Sequence, residues 1–291
     1  MLLHARLRVE LVTIRTTGDV VLDRPLYELG GKGVFTKEIE LALLRGEIDF
    51  AVHSLKDMPV TMPLVDPSEL IIAAIPKRAD VADVLVSAEA RSIDVLPKNA
   101  RVGSSSLRRR AQLLDRRPDL QVEPIRGNID TRVEKLQAGE FDAIILAAAG
   151  LKRLGIWDDA IMTRIHESQM LPAAGQGALA LQCRMEDSAT REILAAMDDE
   201  TTRACVEIER QIVRELDGDC HSPIAGWAKR LRDGRFELHA AVAMRGGAPP
   251  VIHVDAAGGR EVAMVVAEKL KAAGAMTMLH VPVPAPKVPG E

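Results

Sequence analysis

Short apolar runs, each stopping at a polar turn, alternate along this chain with segments whose apolar positions fall three and four apart. Residues 9–14 (VELVTI) alternate like a strand, and 15–32, with Pro25 and the pair Gly30-Gly31, read as a long loop of the kind that forms lids. Residues 33–46 set Phe35, Ile39, Leu43 and Leu44 on one helical face and end at a glycine. Residues 49–52 then form a buried strand, which predicts a parallel strand-loop-helix-strand unit. Further buried strands are expected at 70–75, 83–87, 101–103, 121–127, 142–150 and 177–183, with helices from 107, at 188–197 and at 201–216. From Phe236 onward, two alternating strands (FELHAAVAM and VIHVDAAG) and a helix over 261–273 predict a small α+β domain; the Pro-rich end from Val281 is expected to be disordered.

Two polar breaks, at 76–80 and 171–177, divide this pattern. Two crossings about ninety residues apart are what two α/β lobes joined by paired hinge segments would show, with a ligand in the cleft between them. The expected division is residues 1–76 with 176–198 as one lobe, 77–175 as the second, and 199–291 as the third domain.

Composition narrows the function. A net charge of −4 and a pI near 6.0 exclude a surface built as a whole to neutralise phosphates, and 2% aromatic residues leave little to stack bases on, so no nucleic-acid partner is expected. Cys183, Cys205 and Cys220 are odd in number and lack CxxC spacing, which suits free thiols in a reducing cytoplasm. Cys183 and Cys205 sit in apolar or helical contexts and are expected to be buried bystanders; His221 has no companion at metal-ligand spacing, so no metal is expected. No apolar run is long enough to span a bilayer, and a monomer is expected.

Within an acidic chain, the ends of several strands are locally basic. His53-Ser54-Leu55-Lys56-Asp57 follows the strand at 49–52, where α/β sheets gather reactive groups. Gly103-Ser104-Ser105-Ser106 leads into a helix whose first turn holds Arg108, Arg109 and Arg110; Arg126-Gly127-Asn128 leads into another carrying Arg132. Helix-start N–H groups, serine hydroxyls and arginine forks together select carboxylates or phosphates, so repetition of the arrangement predicts a polyanionic small ligand. The plainer reading of each is a solvated corner or a charged helix face.

Taken together and in order, residues 51–59 (AVHSLKDMP), 103–109 (GSSSLRR), Arg126-Gly127-Asn128 with Arg132, 171–177 (LPAAGQG) and Asp219-Cys220 with Pro223 resemble the porphobilinogen deaminases, over residues 9–274. The resemblance implies two periplasmic-binding-protein-like lobes plus a small C-terminal α+β domain. It also implies condensation of four porphobilinogen molecules into hydroxymethylbilane with loss of ammonia, in haem and other tetrapyrrole biosynthesis. Residue by residue, it makes Asp57 the catalytic aspartate and Cys220 the thioether link to a dipyrromethane cofactor, one per chain. Ser54, Lys56, Ser104, Ser106, Arg108, Arg109, Arg126 and Arg132, with Arg153 and Gln176, become contacts of cofactor and substrate, and residues 17–33 with Lys32 become a mobile lid. Met1 and the residues up to Arg8 resemble the end of the helix after the family's first strand, so that strand and its Arg-x-Ser turn are expected to be missing. The rival is a two-lobed small-anion binding or sensing module without catalysis, which needs neither Cys220 nor an acid in a cationic cleft.

Overall fold

The computed structural model describes residues 7–17, 36–60, 69–219 and 222–281. They build a mixed α/β fold around three sheets.

The first sheet has three strands: β1 (Phe50–Ser54), β2 (Leu70–Ala74) and β8 (Leu179–Arg184), with β8 in the middle and antiparallel to both neighbours. Helix α1 (Lys37–Leu44) packs Leu43 against Ala51 and Leu70 on this sheet, as the periodicity of 33–46 predicts. The expected strand over 9–14 does not form. Those residues are irregular, and Leu11 is 91% exposed. Alternation supplies a face but not a partner: among the described residues no strand pairs with this segment, so its peptide groups gain more from water than from an empty ladder. The parallel unit predicted from it is therefore also absent among the described residues.

The second sheet runs β5-β4-β6-β3-β7, from β3 (Asp83–Val86), β4 (Arg101–Gly103), β5 (Gln121–Glu123), β6 (Ala143–Ala147) and β7 (Met162–Arg164). β4 is parallel to β5 and β6, whereas β3 is antiparallel to β6 and β7. Its central strands are continuously apolar because both faces are covered: Leu85, Val102, Leu113 and Ile145 pack on one side, Val84, Val86, Ile144 and Leu146 on the other. Helices α2 (Leu107–Arg116) and α3 (Ile129–Gln137) begin just past β4 and β5. The strand expected over 142–150 stops at Ala147, where α4 (Ala148–Leu154) begins; an alanine-rich run favours helix once it leaves the sheet.

Helices α5 (Ser188–Ala195) and α6 (Glu200–Glu215) lead to the third sheet, an antiparallel meander of β9 (Ile224–Arg230), β10 (Phe236–Ala243) and β11 (Val251–Gly258). Helices α6, α7 (Val262–Ala272) and α8 (Ala275–His280) complete its core through Ile208, Ile212, Val266, Leu270 and Leu279.

The chain passes from the first sheet to the second between β2 and β3, and returns between β7 and β8. The two crossings touch: the Ala79 amide donates to the Gly177 carbonyl at 3.1 Å, and Arg78 Nε donates to the Gln176 carbonyl at 2.7 Å. Gly177 has a φ of +83°, and a Cβ there would lie 2.9 Å from the carbonyl oxygens of Ala79 and Asp80, so only glycine permits this approach.

Candidate active site

Strand β1 ends in a 3₁₀ turn, Leu55–Asp57, closed by the Met58 amide donating to the Leu55 carbonyl at 3.2 Å. Leu55 and Met58 are buried beneath it, which leaves Asp57 and Ser54 exposed and Lys56 partly covered. The turn thus presents its polar side chains to the second lobe while its apolar ones anchor it.

Across from it stand the starts of α2 and α3. Ser106 caps α2, its hydroxyl accepting from the Arg109 amide at 3.4 Å, and Asn128 caps α3, its Oδ1 accepting from the Thr131 amide at 2.9 Å. Ser104 is buried, and its hydroxyl accepts from the Ser106 amide at 3.4 Å. These serines build the turn as well as line it.

Arg108 and Arg109 are buried, which departs from a solvated helix face. Both converge on Asp83, at the start of β3. Arg108 Nη1 donates to Asp83 Oδ2 at 2.8 Å and to the Leu171 carbonyl at 2.5 Å. Arg109 donates to Asp83 Oδ1 from Nε at 3.1 Å and from Nη2 at 2.6 Å, and to the Ile145 carbonyl from Nη1 at 2.9 Å. Gln176 Nε2 adds a third approach to Asp83 at 2.9 Å and a bond to the Val81 carbonyl at 2.7 Å. Burial alone would raise the Asp83 carboxyl, but the two guanidiniums hold it well below the usual carboxylate range. Arg108 Nε and Gln176 Oε1 are buried and have no hydrogen-bond partner among the described residues.

Charge joins the two lobes here. Burial lowers the pKa of Lys56, with Asp57 opposing the shift, Arg109 adding to it, Asp83 opposing it and Arg108 adding to it. Burial brings Arg132 down to about 10, helped by Arg109 and Arg126 and opposed by Asp57. Asp57 on the first lobe therefore shares one field with Arg132 on the second. Among the described residues, Lys56, Arg108, Arg109 and Arg132 share this field with the acids Asp57 and Asp83, of which Asp57 is exposed and Asp83 buried, and Arg126 adds positive charge beside Arg132. The chemistry of the site suits a ligand bearing several carboxylates.

Arg153 and Gln176 sit at the crossings: Arg153 Nη2 donates to the Gly177 carbonyl at 2.8 Å. Cys183 and Cys205 are buried, as expected, and burial pushes the Cys205 thiol up to about 11. Cys220 and His221, the lid residues 18–33 with Lys32, residues 1–6 of the opening segment and the tail after Val281 lie outside the described residues. Among the described residues there is no cluster of potential metal ligands, and no helix is long and apolar enough to cross a membrane.

Comparison with known proteins decides the family. Residues 1–192 match the model of the porphobilinogen deaminase dipyromethane cofactor binding domain, and residues 203–272 match that of the porphobilinogen deaminase C-terminal domain. The chain belongs to the porphobilinogen deaminase family. The deaminase of Acidithiobacillus ferrooxidans is 48% identical over 280 residues, covering 96% of this chain and 89% of the relative; that of Xanthomonas oryzae pv. oryzae is 49% identical over 255 residues, covering 88% and 82%. The substrate binding protein of an amino acid ABC transporter aligns with a TM-score of 0.32 at 14% identity, over 57% of this chain and 68% of its own. As a porphobilinogen deaminase, the protein is a transferase of tetrapyrrole biosynthesis that condenses porphobilinogen into hydroxymethylbilane with release of ammonia, using a dipyrromethane cofactor. A binding or sensing module without catalysis is not favoured.

Sequence reasoning overlooked Asp83, Arg78, Glu209 and Arg210. Arg78 lies in the segment read simply as a polar break, and Glu209 and Arg210 lie in a helix read only for its apolar face. For Glu209 the available signal was a charge in phase with that apolar face, three or four positions from Cys205, Val206, Ile212 and Val213, which gains meaning only once a partner is known.

Proposed function

We propose that Asp57 is the catalytic carboxylate and that Cys220 carries the dipyrromethane. Ser54, Lys56, Ser104, Ser106, Arg108, Arg109, Arg126 and Arg132, with Arg153 and Gln176 at the hinge, hold the carboxylates of the cofactor and of the growing chain. One observation carries the reading: Asp57 is an exposed acid sharing its field with Arg132 and Lys56 in an otherwise cationic cleft. The residues fit the group. Each pyrrole ring brings two carboxylates, and among the described residues the Arg108 side chain donates from Nη1, leaving its buried Nε and its Nη2 as donors.

When bound, the dipyrromethane supplies the anchored pyrrole end to which each new ring is joined. Lys56, Arg126 and Arg132 neutralise ring carboxylates and orient the incoming ring, while Asp83 keeps Arg108 and Arg109 in fixed planes. As ammonia leaves porphobilinogen, the Asp57 carboxylate stabilises the positive charge developing on that pyrrole by accepting from its N–H. After the new carbon–carbon bond forms, an Asp57 oxygen takes the proton shed as the ring regains aromaticity.

The domain division proposed is 1–76 with 176–198, 77–175 and 199–291, in a cytoplasmic monomer that binds no nucleic acid. Intact mass of the purified protein tests the attachment: it should exceed the sequence mass by two linked pyrrole units, and Cys220→Ser should remove the excess. Asp57→Asn, still cofactor-loaded, should lose at least ~10²-fold in turnover. Near-normal turnover would refute its catalytic role.

A further inference from the structure

The turn that presents Asp57 is held from outside its own lobe. Arg210, on α6, donates from Nη1 to the Leu55 carbonyl at 3.3 Å and the Met58 carbonyl at 3.1 Å, and from Nη2 to the Pro59 carbonyl at 2.5 Å. These three oxygens bracket Lys56 and Asp57 on both sides. A 3₁₀ turn of three residues has one internal bond to hold it, the Met58 amide to the Leu55 carbonyl; Arg210 adds a second donor to that carbonyl and ties down the two carbonyls that follow the turn. Among the described residues, no carboxylate pairs with Arg210; its planar fork serves backbone oxygens. Burial, with Arg214 nearby, brings its pKa down to about 10, so it remains a cation at neutral pH. Helix α6 ends at Glu215, five residues before Cys220.

We infer that Arg210 is a positioning residue for the reaction, fixing the Asp57 turn against the helix that leads to the cofactor cysteine. The inference rests on the catalytic reading of Asp57. Arg210 touches neither the Lys56 nor the Asp57 side chain; it sets where the backbone delivers them. Misplacing a catalytic group by about 1 Å costs on the order of 10²-fold in rate, so loss of the clamp should appear in kcat rather than KM.

The test is a double-mutant cycle on the cofactor-loaded protein, with Arg210→Gln and Arg210→Lys made in the wild-type and Asp57→Asn backgrounds. Intact mass and thermal melting establish loading and folding of each. In the wild-type background, Arg210→Gln should lower kcat by ~10-fold or more with little change in KM, and Arg210→Lys should recover part of it. In the Asp57→Asn background, the same change should cost less than ~3-fold, because the group it positions is already gone. Equal losses in both backgrounds would overturn the inference and leave Arg210 as a fastener between domains. If Arg210→Gln fails to fold, the Lys variant carries the cycle alone, since it keeps the charge and removes the fork. A fully active Asp57→Asn protein would sink the catalytic reading, and the inference with it; a slow one with additive losses sinks the inference alone.

Discussion

Arg78 and Glu209 form a two-pronged ion pair, with Nη1 to Oε1 at 2.6 Å and Nη2 to Oε2 at 3.0 Å, at the point where both crossings meet the third domain. Glu209 is fully buried, and each oxygen has a second donor: the Ala228 amide at 2.8 Å on Oε1 and the Gly175 amide at 2.7 Å on Oε2. One carboxylate thereby fastens the outgoing crossing, the returning crossing and β9. Removing one partner leaves an uncompensated buried charge, so Arg78→Met should destabilise by roughly 3–5 kcal/mol, read as a lower denaturant midpoint. A loss of under about 1 kcal/mol would mean that water replaces the guanidinium.

The crossings also depend on Gly177. Gly177→Ala places a Cβ against two backbone oxygens at 2.9 Å, whereas Gly139→Ala has a similar φ of +75° and nothing within 4 Å. Both variants should lose the ~1–2 kcal/mol of a left-handed non-glycine residue, and Gly177→Ala should lose clearly more. Equal melting temperatures would show that the crossings separate without cost.

Asp80, in the outgoing crossing, gives a pH signature. Burial would raise its pKa, but Lys152 Nζ at 2.8 Å, the Ala82 amide at 3.0 Å and Arg164 Nε at 3.2 Å bring it down to about 2. A depressed folded pKa contributes stability that is fully present above the unfolded value of ~4 and lost as pH falls from there toward about 2. Asp80→Asn should therefore be less stable than wild type at neutral pH and show a shallower loss between those values. Denaturant midpoints measured across that window check it; parallel curves would contradict it.

The four arginines should divide into two classes. Arg108 and Arg109 are bound to Asp83, so Arg109→Leu leaves a buried carboxylate short of donors and should lower the melting temperature as well as activity. Arg126 and Arg132 are only partly buried, and Arg132 donates to the Gly127 carbonyl at 2.9 Å. Arg132→Leu should fold normally yet accumulate enzyme-bound intermediates of defined mass, visible by mass spectrometry after limited substrate. Uniform effects across all four would contradict this division.

The sequence made β1 and its turn legible because an apolar run ending in Lys56-Asp57-Met58-Pro59 leaves little else for the backbone to do. The same logic located α6, whose apolar face is regular, and both crossings, where polarity interrupts the pattern. It failed at residues 9–14, where the periodicity is sound but pairing is a property of the sheet. It also missed β9, where small residues such as Ala225 and Gly226 follow Pro223 and mute the strand signal. Asp83 was illegible for a related reason: a carboxylate at a strand start reads as surface until two arginines some 25 residues later are folded onto it.

The placement of β8 also sets the order in which the protein can be made. The second sheet uses strands between Asp83 and Arg164, so it can close as soon as that stretch has left the ribosome. The first sheet cannot, because among the described residues β1 and β2 find their strand partner only in β8, which begins at Leu179. During synthesis, the turn that bears Asp57 must wait on an unpaired, apolar strand while more than a hundred further residues are added, a window in which chaperone capture competes with folding.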